Sequence, residues 1–233
     1  FAGLVAGKVF TGDFDPIPHS HIVTSTTHKT LRGPRGGIVL TNEEFATTVD
    51  RGCPMALGGP LSNVMAAKAV AFEEAKQPAF KAYAQKVVDN AKTLGETLMS
   101  EGIKITTDGT DNHLIVVDIS KFGISGRQGE SALRESGITL NRNSIPYDPN
   151  GAWYTSGLRL GTPALTSRGF GSSEMKTIAS LIKKVLLVTK PNTTKSGEVS
   201  KSTYSVDTKV ITAVNAQITE MLASKPLYPE LEF

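Results

Sequence analysis

Apolar residues recur every three to four positions in several long stretches of the chain and alternate or cluster briefly in others. This rhythm sets out the elements before any chemistry is considered. The longest helical stretch follows Pro78, where Phe80, Tyr83, Val87, Ala91, Leu94 and Leu98 fall on one face and Gly102 supplies a stop. LSNVMAAKAVAFEEAK after Pro60 and SEMKTIASLIKKVLLV before Thr189 predict two more helices, GRQGESALRESG a short one, and Val210, Val214, Ile218 and Leu222 a last one. Strand signals are shorter. Ile22 and Val23 suggest a short buried strand, GGIVLT a second, and IKITTDGTDNHLIVVDIS two strands joined by a turn at Asp108-Gly109; ITLNRN and SGLRLGT follow. Thr41 to Glu44, TNEE, has the spacing of a capping box for a short helix. GCPMALGGP reads as irregular backbone, and Thr189 to Ser205, rich in Ser, Thr and Lys, as an exposed polar loop.

The texture changes along the chain. Residues 1-76 are glycine-rich and irregular, residues 77-102 read as a connecting helix, and residues 103-233 as a small α+β module with the polar loop near 189-205. A length of 233 residues suits one large or two small domains, and 39% hydrophobic with 20% charged residues is ordinary for a globular protein. A net charge of +3 is too weak and dispersed to argue for nucleic acid or a membrane surface. The longest apolar runs, LIVV and VLLV, fall far short of the roughly 20 residues of a spanning helix. One cysteine, Cys53, excludes an internal disulfide framework and fits a reducing, cytoplasmic setting. The opening FAGLVAGKVF has no initiator methionine and reads as the interior of a fold, so the natural protein is expected to begin upstream.

The chemistry concentrates at TSTTHKTLRGPRGG, Thr24 to Gly37. A lysine does covalent work by joining a carbonyl carbon, and pyridoxal 5'-phosphate is the common aldehyde partner. Such a site needs donors for a phosphate and a contact for a ring. The hydroxyls of Thr24 to Thr27, the imidazole of His28 and the positive charges of Arg32 and Arg35 around Lys29 are of the right kind. The residues alone are more often those of a solvated surface lysine. Arg159 sits between glycine and apolar residues in SGLRLGTP, where a planar guanidinium suits a carboxylate held bidentately or, alternatively, a strand-edge surface position. Gly58-Gly59-Pro60 is either a plain turn or a place where backbone N–H groups approach a phosphate. Trp153, the single tryptophan, reads as a core or interface anchor. His19 and His21 have no carboxylate or thiol partner at ligand spacing, so no metal is expected. Without a G-x-S-x-G element a serine hydrolase is not expected.

VTSTTHKTLRGPRGG resembles the lysine-bearing signature of the serine hydroxymethyltransferases, which are fold-type I pyridoxal-phosphate enzymes. The likeness continues through GGPLSNVMAAKAVAFEEA, DGTDNHLIVVD, ITLNRNSIP and TSGLRLGTPALTSRGF, up to the polar segment at Thr189. It implies an α/β fold in which residues 1-76 are the C-terminal part of the large cofactor domain and residues 103-233 the small domain. By resemblance Lys29 is the Schiff-base lysine, Thr26 and His28 contact the cofactor, and His28 also bears on substrate specificity. Arg35 orders the site and holds the lysine loop, and Gly58 and Gly59 reach the cofactor phosphate of a partner subunit. Arg159 clamps the substrate carboxylate, while Asn143, Gly151, Ala152 and Trp153 lie toward the folate. The implied reaction converts serine and tetrahydrofolate to glycine and 5,10-methylenetetrahydrofolate, in a homodimer, with tetrahydrofolate as cosubstrate. A folate-independent aldolase of β-hydroxy amino acids, or a non-catalytic fragment that assembles with its missing half, are the other readings.

Two departures stand out. Leu57 occupies the place of a glutamine that many family members carry before Gly-Gly-Pro, and the polar segment before Ser205 is longer than usual. In addition, the Asp-x-x-His motif whose aspartate pairs with the cofactor's ring nitrogen lies, in relatives, just before the position of Phe1. The chain by itself is therefore expected to be inactive unless the N-terminal half is supplied.

Overall fold

The computed structural model describes residues 1–228 and divides the chain into two units, Phe1–Lys86 and a second from Val87 onward. The first opens with α1 (Ala2–Ala6), followed by β1 (Ile22–Thr26) and β2 (Gly37–Thr41), which pair antiparallel with Thr26 opposite Gly37. Next come α2 (Glu43–Leu57) and α3 (Ser62–Ala75). The start of α4 (Pro78–Ser100) completes the unit. Its core is small: Leu4, Leu31, Ala71, Phe80 and Ala84 are buried. Ile22 is 45% exposed and Val23 half-buried, so β1 is not the buried strand that its sequence suggests.

The second unit carries the larger core. Its sheet runs β3 (Lys104–Ile105), β4 (Leu114–Asp118), β6 (Gly157–Gly161), β5 (Asn141–Asn143), with every neighbouring pair antiparallel. Helices α5 (Gly126–Glu135), α8 (Ser172–Val188) and α9 (Thr208–Ala223) belong to it, with two short helices, α6 (Gly151–Tyr154) and α7 (Pro163–Ser167). The face of α4 bearing Ala91, Leu94 and Leu98 is buried, as are Ile115, Val117 and Leu158 of the sheet and Met175, Leu181 and Val185 of α8. After α4 the chain turns at Gly102 with φ +80°, a left-handed conformation that glycine adopts without penalty.

Three local expectations need correction. The segment GCPMAL is helical, because α2 continues through Pro54 to Leu57; the irregular backbone begins only at Gly58, with φ +82°. The capping box at Thr41–Glu44 does not form: Thr41 ends β2, and the N-cap Asn42 makes no side-chain capping bond. The segment expected as an exposed loop at 189-205 is a hairpin, β7 (Lys190–Thr193) with β8 (Val199–Ser205). Burial alternates along β8, but its inward residues Ser200, Ser202 and Tyr204 carry no aliphatic side chain, so the period of two is invisible to hydropathy. Gln128 of α5 holds the hairpin by donating to the carbonyls of Ser200 and Thr203, both at 2.8 Å.

Candidate active site

Lys29 stands on a turn that its neighbours build. Leaving β1, the chain buries Thr27, exposes Lys29 and buries Thr30. The Thr27 amide donates to the Gly36 carbonyl (3.0 Å), and the Gly33 amide donates to the Thr27 carbonyl (2.8 Å). The Arg32 amide closes onto Lys29 O (2.9 Å), and the Thr27 hydroxyl donates to Pro34 O (2.7 Å). Thr30 Oγ1 accepts from the Gly3 amide at 2.9 Å, so α1 is latched to the turn. A Cβ on Gly3 would lie 2.2 Å from the Thr30 carbonyl oxygen, so only glycine fits that close approach. Arg32, with φ +59°, lays its guanidinium 4.0 Å from the Tyr83 ring centroid. The result is a rigid mount for a side chain that itself makes no ion pair among the described residues.

His28 is half-buried, and its Nδ1 accepts from the Gly36 amide (3.3 Å). That bond fixes the ring plane and, in the neutral imidazole, leaves the proton on Nε2. Thr26, the last residue of β1, is also half-buried. Arg35, Gly58 and Gly59 line a different depression of the same unit, a groove of about 730 Å³ between β2, α2 and α3. Neither Lys29 nor His28 lines it. A Cβ built on either Gly58 or Gly59 would meet nothing within 4 Å, so open space, not crowding, surrounds these two amides. Leu57, in the departing position, is 81% exposed.

Arg159, Asn143 and Gly151 to Trp153 belong to the second unit. On β6, Leu158 and Leu160 are buried while Arg159 between them is exposed and free of ion pairs among the described residues. The register sets Arg159 opposite Asn141 and Gly157 opposite Asn143, so Asn141 and Asn143 share the sheet face of the guanidinium. Trp153 is 62% exposed, with the guanidinium carbons of Arg127 and Arg142 at 5.2 and 5.4 Å from its ring centroid. Arg142 is anchored by an ion pair with the buried Glu130 (2.7 Å), which also meets Arg134 (3.3 Å).

The chain matches the protein-family model described as serine hydroxymethyltransferase over residues 1–182. The chain belongs to the serine hydroxymethyltransferase family. It is 59% identical to the serine hydroxymethyltransferase of Mycolicibacterium smegmatis over 99% of this chain and 46% of that protein. It is 58% identical to that of Cutibacterium acnes over 100% of this chain and 48% of the relative. The Treponema pallidum enzyme of the same name is 59% identical, over 100% of this chain and 40% of its own length. The chain thus spans about half the length of the curated relatives it matches.

Within this member of the family, the first unit gathers Thr26, His28, Lys29, Arg35, Gly58 and Gly59, and the second Asn143, Gly151, Ala152, Trp153 and Arg159. The sequence motifs pass over the residues that shape these positions. Thr27, whose hydroxyl reads as a candidate phosphate donor, is instead fully buried and spends that hydroxyl on Pro34 O, and Thr30 reads as one more polar residue although it too is almost fully buried. Asp148 reads as a loop carboxylate, although it accepts hydrogen bonds from four groups. Its only sequence signal is the pair of prolines around Tyr147-Asp148, which marks a turn without saying what closes it.

Proposed function

We propose that this chain is the lysine-bearing portion of a serine hydroxymethyltransferase. Such an enzyme transfers the hydroxymethyl carbon of serine to tetrahydrofolate, giving glycine and 5,10-methylenetetrahydrofolate. The observation that carries this reading is an amine on a rigid turn, Lys29, inside a stretch that matches the family over residues 1–182. The donor set fits pyridoxal 5'-phosphate: a lysine without an ion-pair partner among the described residues, a ring oriented by Gly36, and a neighbouring arginine, Arg35. Lys29 would join the cofactor, with Thr26 and His28 against it and Arg35 ordering the loop. Gly58 and Gly59 would serve the phosphate of a second copy in a homodimer. When bound, the cofactor supplies an aldehyde for amines and a conjugated ring that accepts electron density from the carbon under attack.

The chain's own residues then have defined tasks. Arg159 grips the serine carboxylate through a planar fork of donors, which fixes the orientation of the amino acid. His28, held at Nδ1 by Gly36, presents its Nε2 proton as a donor. Asn143 and the segment Gly151, Ala152 and Trp153 bind and orient tetrahydrofolate.

The exposed apolar residues of the first unit, among them Phe14, Met55 at 88% and Leu57 at 81%, favour one further statement. The chain works only when joined by the remainder of the enzyme. The test treats the chain with pyridoxal phosphate and borohydride, with and without the other half, and maps the labelled peptide. Label on Lys29, with serine cleavage only in the joined form and dependent on tetrahydrofolate, is the expected result. Label distributed over surface lysines would overturn the assignment of Lys29, and folate-independent cleavage would favour the β-hydroxy amino acid aldolase.

A further inference from the structure

The loop between β5 and β6 is held open in an expensive shape. Tyr147 and Thr155 both have φ +55°, a left-handed conformation costly for residues with a Cβ, and Tyr147 and Trp153 are exposed. Both aromatic side chains lie largely in solvent, while the backbone of the loop converges on one carboxylate. Asp148 Oδ2 accepts from the Ser156 amide at 2.7 Å and the Ile145 amide at 3.2 Å, and Oδ1 from the Ser156 hydroxyl at 2.6 Å and the Asn150 amide at 2.9 Å. The Asn150 side chain also donates to Ser156 Oγ at 2.9 Å. Ser156 is buried at the start of β6 and its carbonyl accepts from the Ile119 amide, while the carbonyl of Thr155 accepts from the Gly126 amide at the head of α5. The next residue of α5, Arg127, is one of the two cations over Trp153.

We propose that Asp148 is a positioning residue: its carboxylate closes the Ile145–Ser156 loop onto the start of β6 and so fixes the Trp153 ring beneath Arg127 and Arg142. The proposal rests on the folate reading above for what the loop touches, but not for how the loop is held. Burial on its own would raise the Asp148 carboxyl; the Ser156 hydroxyl and the amides of Asn150, Ile145 and Ser156 outweigh it and keep the group below its ordinary range. Asp148 is thus a persistent anion that satisfies both ends of the loop at once.

Trp153 is the only tryptophan of the chain, so its fluorescence reports this loop alone. Two guanidinium groups beside the ring raise the local concentration of anions, so iodide should quench it more efficiently than caesium. In Asp148→Asn the ring leaves the cations, and the iodide-to-caesium ratio of quenching constants is expected to fall by about a factor of two or more. Ser156→Ala, which removes the shared hydroxyl, should lower the ratio in the same direction and carries the test if Asp148→Asn does not fold by far-UV circular dichroism. A folded variant of either kind that loses thermal stability but keeps the wild-type ratio would overturn the proposal, because a purely structural carboxylate behaves that way. Titrating tetrahydrofolate into the wild-type chain joined with the other half of the enzyme, and into its Trp153→Phe counterpart, separates the two premises. If folate leaves the Trp153 part of the signal unperturbed in the joined form, the folate reading fails and the clamp stands; if the ratio is unchanged in the variants, the clamp fails whatever folate does.

Discussion

Lys29 and Thr30 are adjacent residues with opposite duties. Thr30 is buried and gives the Gly3 amide its acceptor, whereas Lys29 is exposed and bonded to nothing through its side chain among the described residues. Replacing Thr30 by the isosteric valine strands a buried N–H, a loss of about 1–3 kcal/mol. Urea unfolding of Thr30→Val should record it. Lys29→Ala removes the amine without touching the turn and should shift stability by less than about 0.5 kcal/mol, while abolishing borohydride-dependent labelling at that position. A large stability loss in Lys29→Ala would mean that the turn depends on its exposed residue after all. Lys29, which the structure shows exposed on its turn, was singled out in the sequence by the family motif rather than by its neighbours, which alone more often belong to a solvated surface lysine. Thr27 and Thr30 were not, because a buried threonine that hydrogen-bonds backbone looks the same in sequence as a solvated one.

Among the elements, the starts of α8 and α5 show how side chains set a helix end. At α8, Glu174 accepts from the Gly171 amide (2.8 Å) and pairs with Lys225 (3.2 Å). The Gly171 amide first, then the amide of Glu174 itself, with help from Ser173 and Lys225 and against the effect of burial, lower its carboxyl from 4.5 to about 2. Because the folded-state value lies below the unfolded one, the stabilisation is complete above the ordinary carboxylate range and is lost as pH falls toward the folded value. The Glu174→Gln chain should be less stable than wild type at neutral pH by about 0.5–1 kcal/mol. Thermal unfolding followed against pH should show the two curves converging between pH 4.5 and about 2. At α5, Ser125 and Gln128 form a capping box, and the same Gln128 amide holds the β7–β8 hairpin. Gln128→Ala removes a cap and two buried bonds together and should cost about 2–4 kcal/mol, with hydrogen exchange rising along β8 before the rest of the unit. The long helices were readable from their period. The hairpin was not, since serine replaces aliphatic residues on its inner side, and the helical run to Leu57 was hidden by Gly52 and Pro54.

Over the whole chain, the contrast lies between a second unit with a continuous core and a first unit that leaves much of its apolar surface in solvent. No residue of α2 is buried, and Met55, Leu57, Leu61 and Met65 follow one another along an exposed stretch. Such a surface on a piece about half the length of its relatives is expected to seek cover. Met55→Asp with Leu57→Asp should leave the unfolding temperature nearly unchanged and reduce concentration-dependent association in sedimentation velocity. Association that persists in the double variant would place the contact elsewhere. The motifs named the family of the chain and the residue types of its candidate site, but they carried no information about which parts of that surface are covered.

The alternation on β6 has a consequence for how errors are handled. Arg159 is flanked by Leu158 and Leu160, which belong to the core. A slip of one residue in the β4–β6 pairing would turn the guanidinium into the hydrocarbon interior and both leucines into water. The misassembled molecule would then lack stability as well as the outward-facing arginine proposed to bind a carboxylate. Cellular proteolysis, which samples unstable conformers, would remove it before it could accumulate.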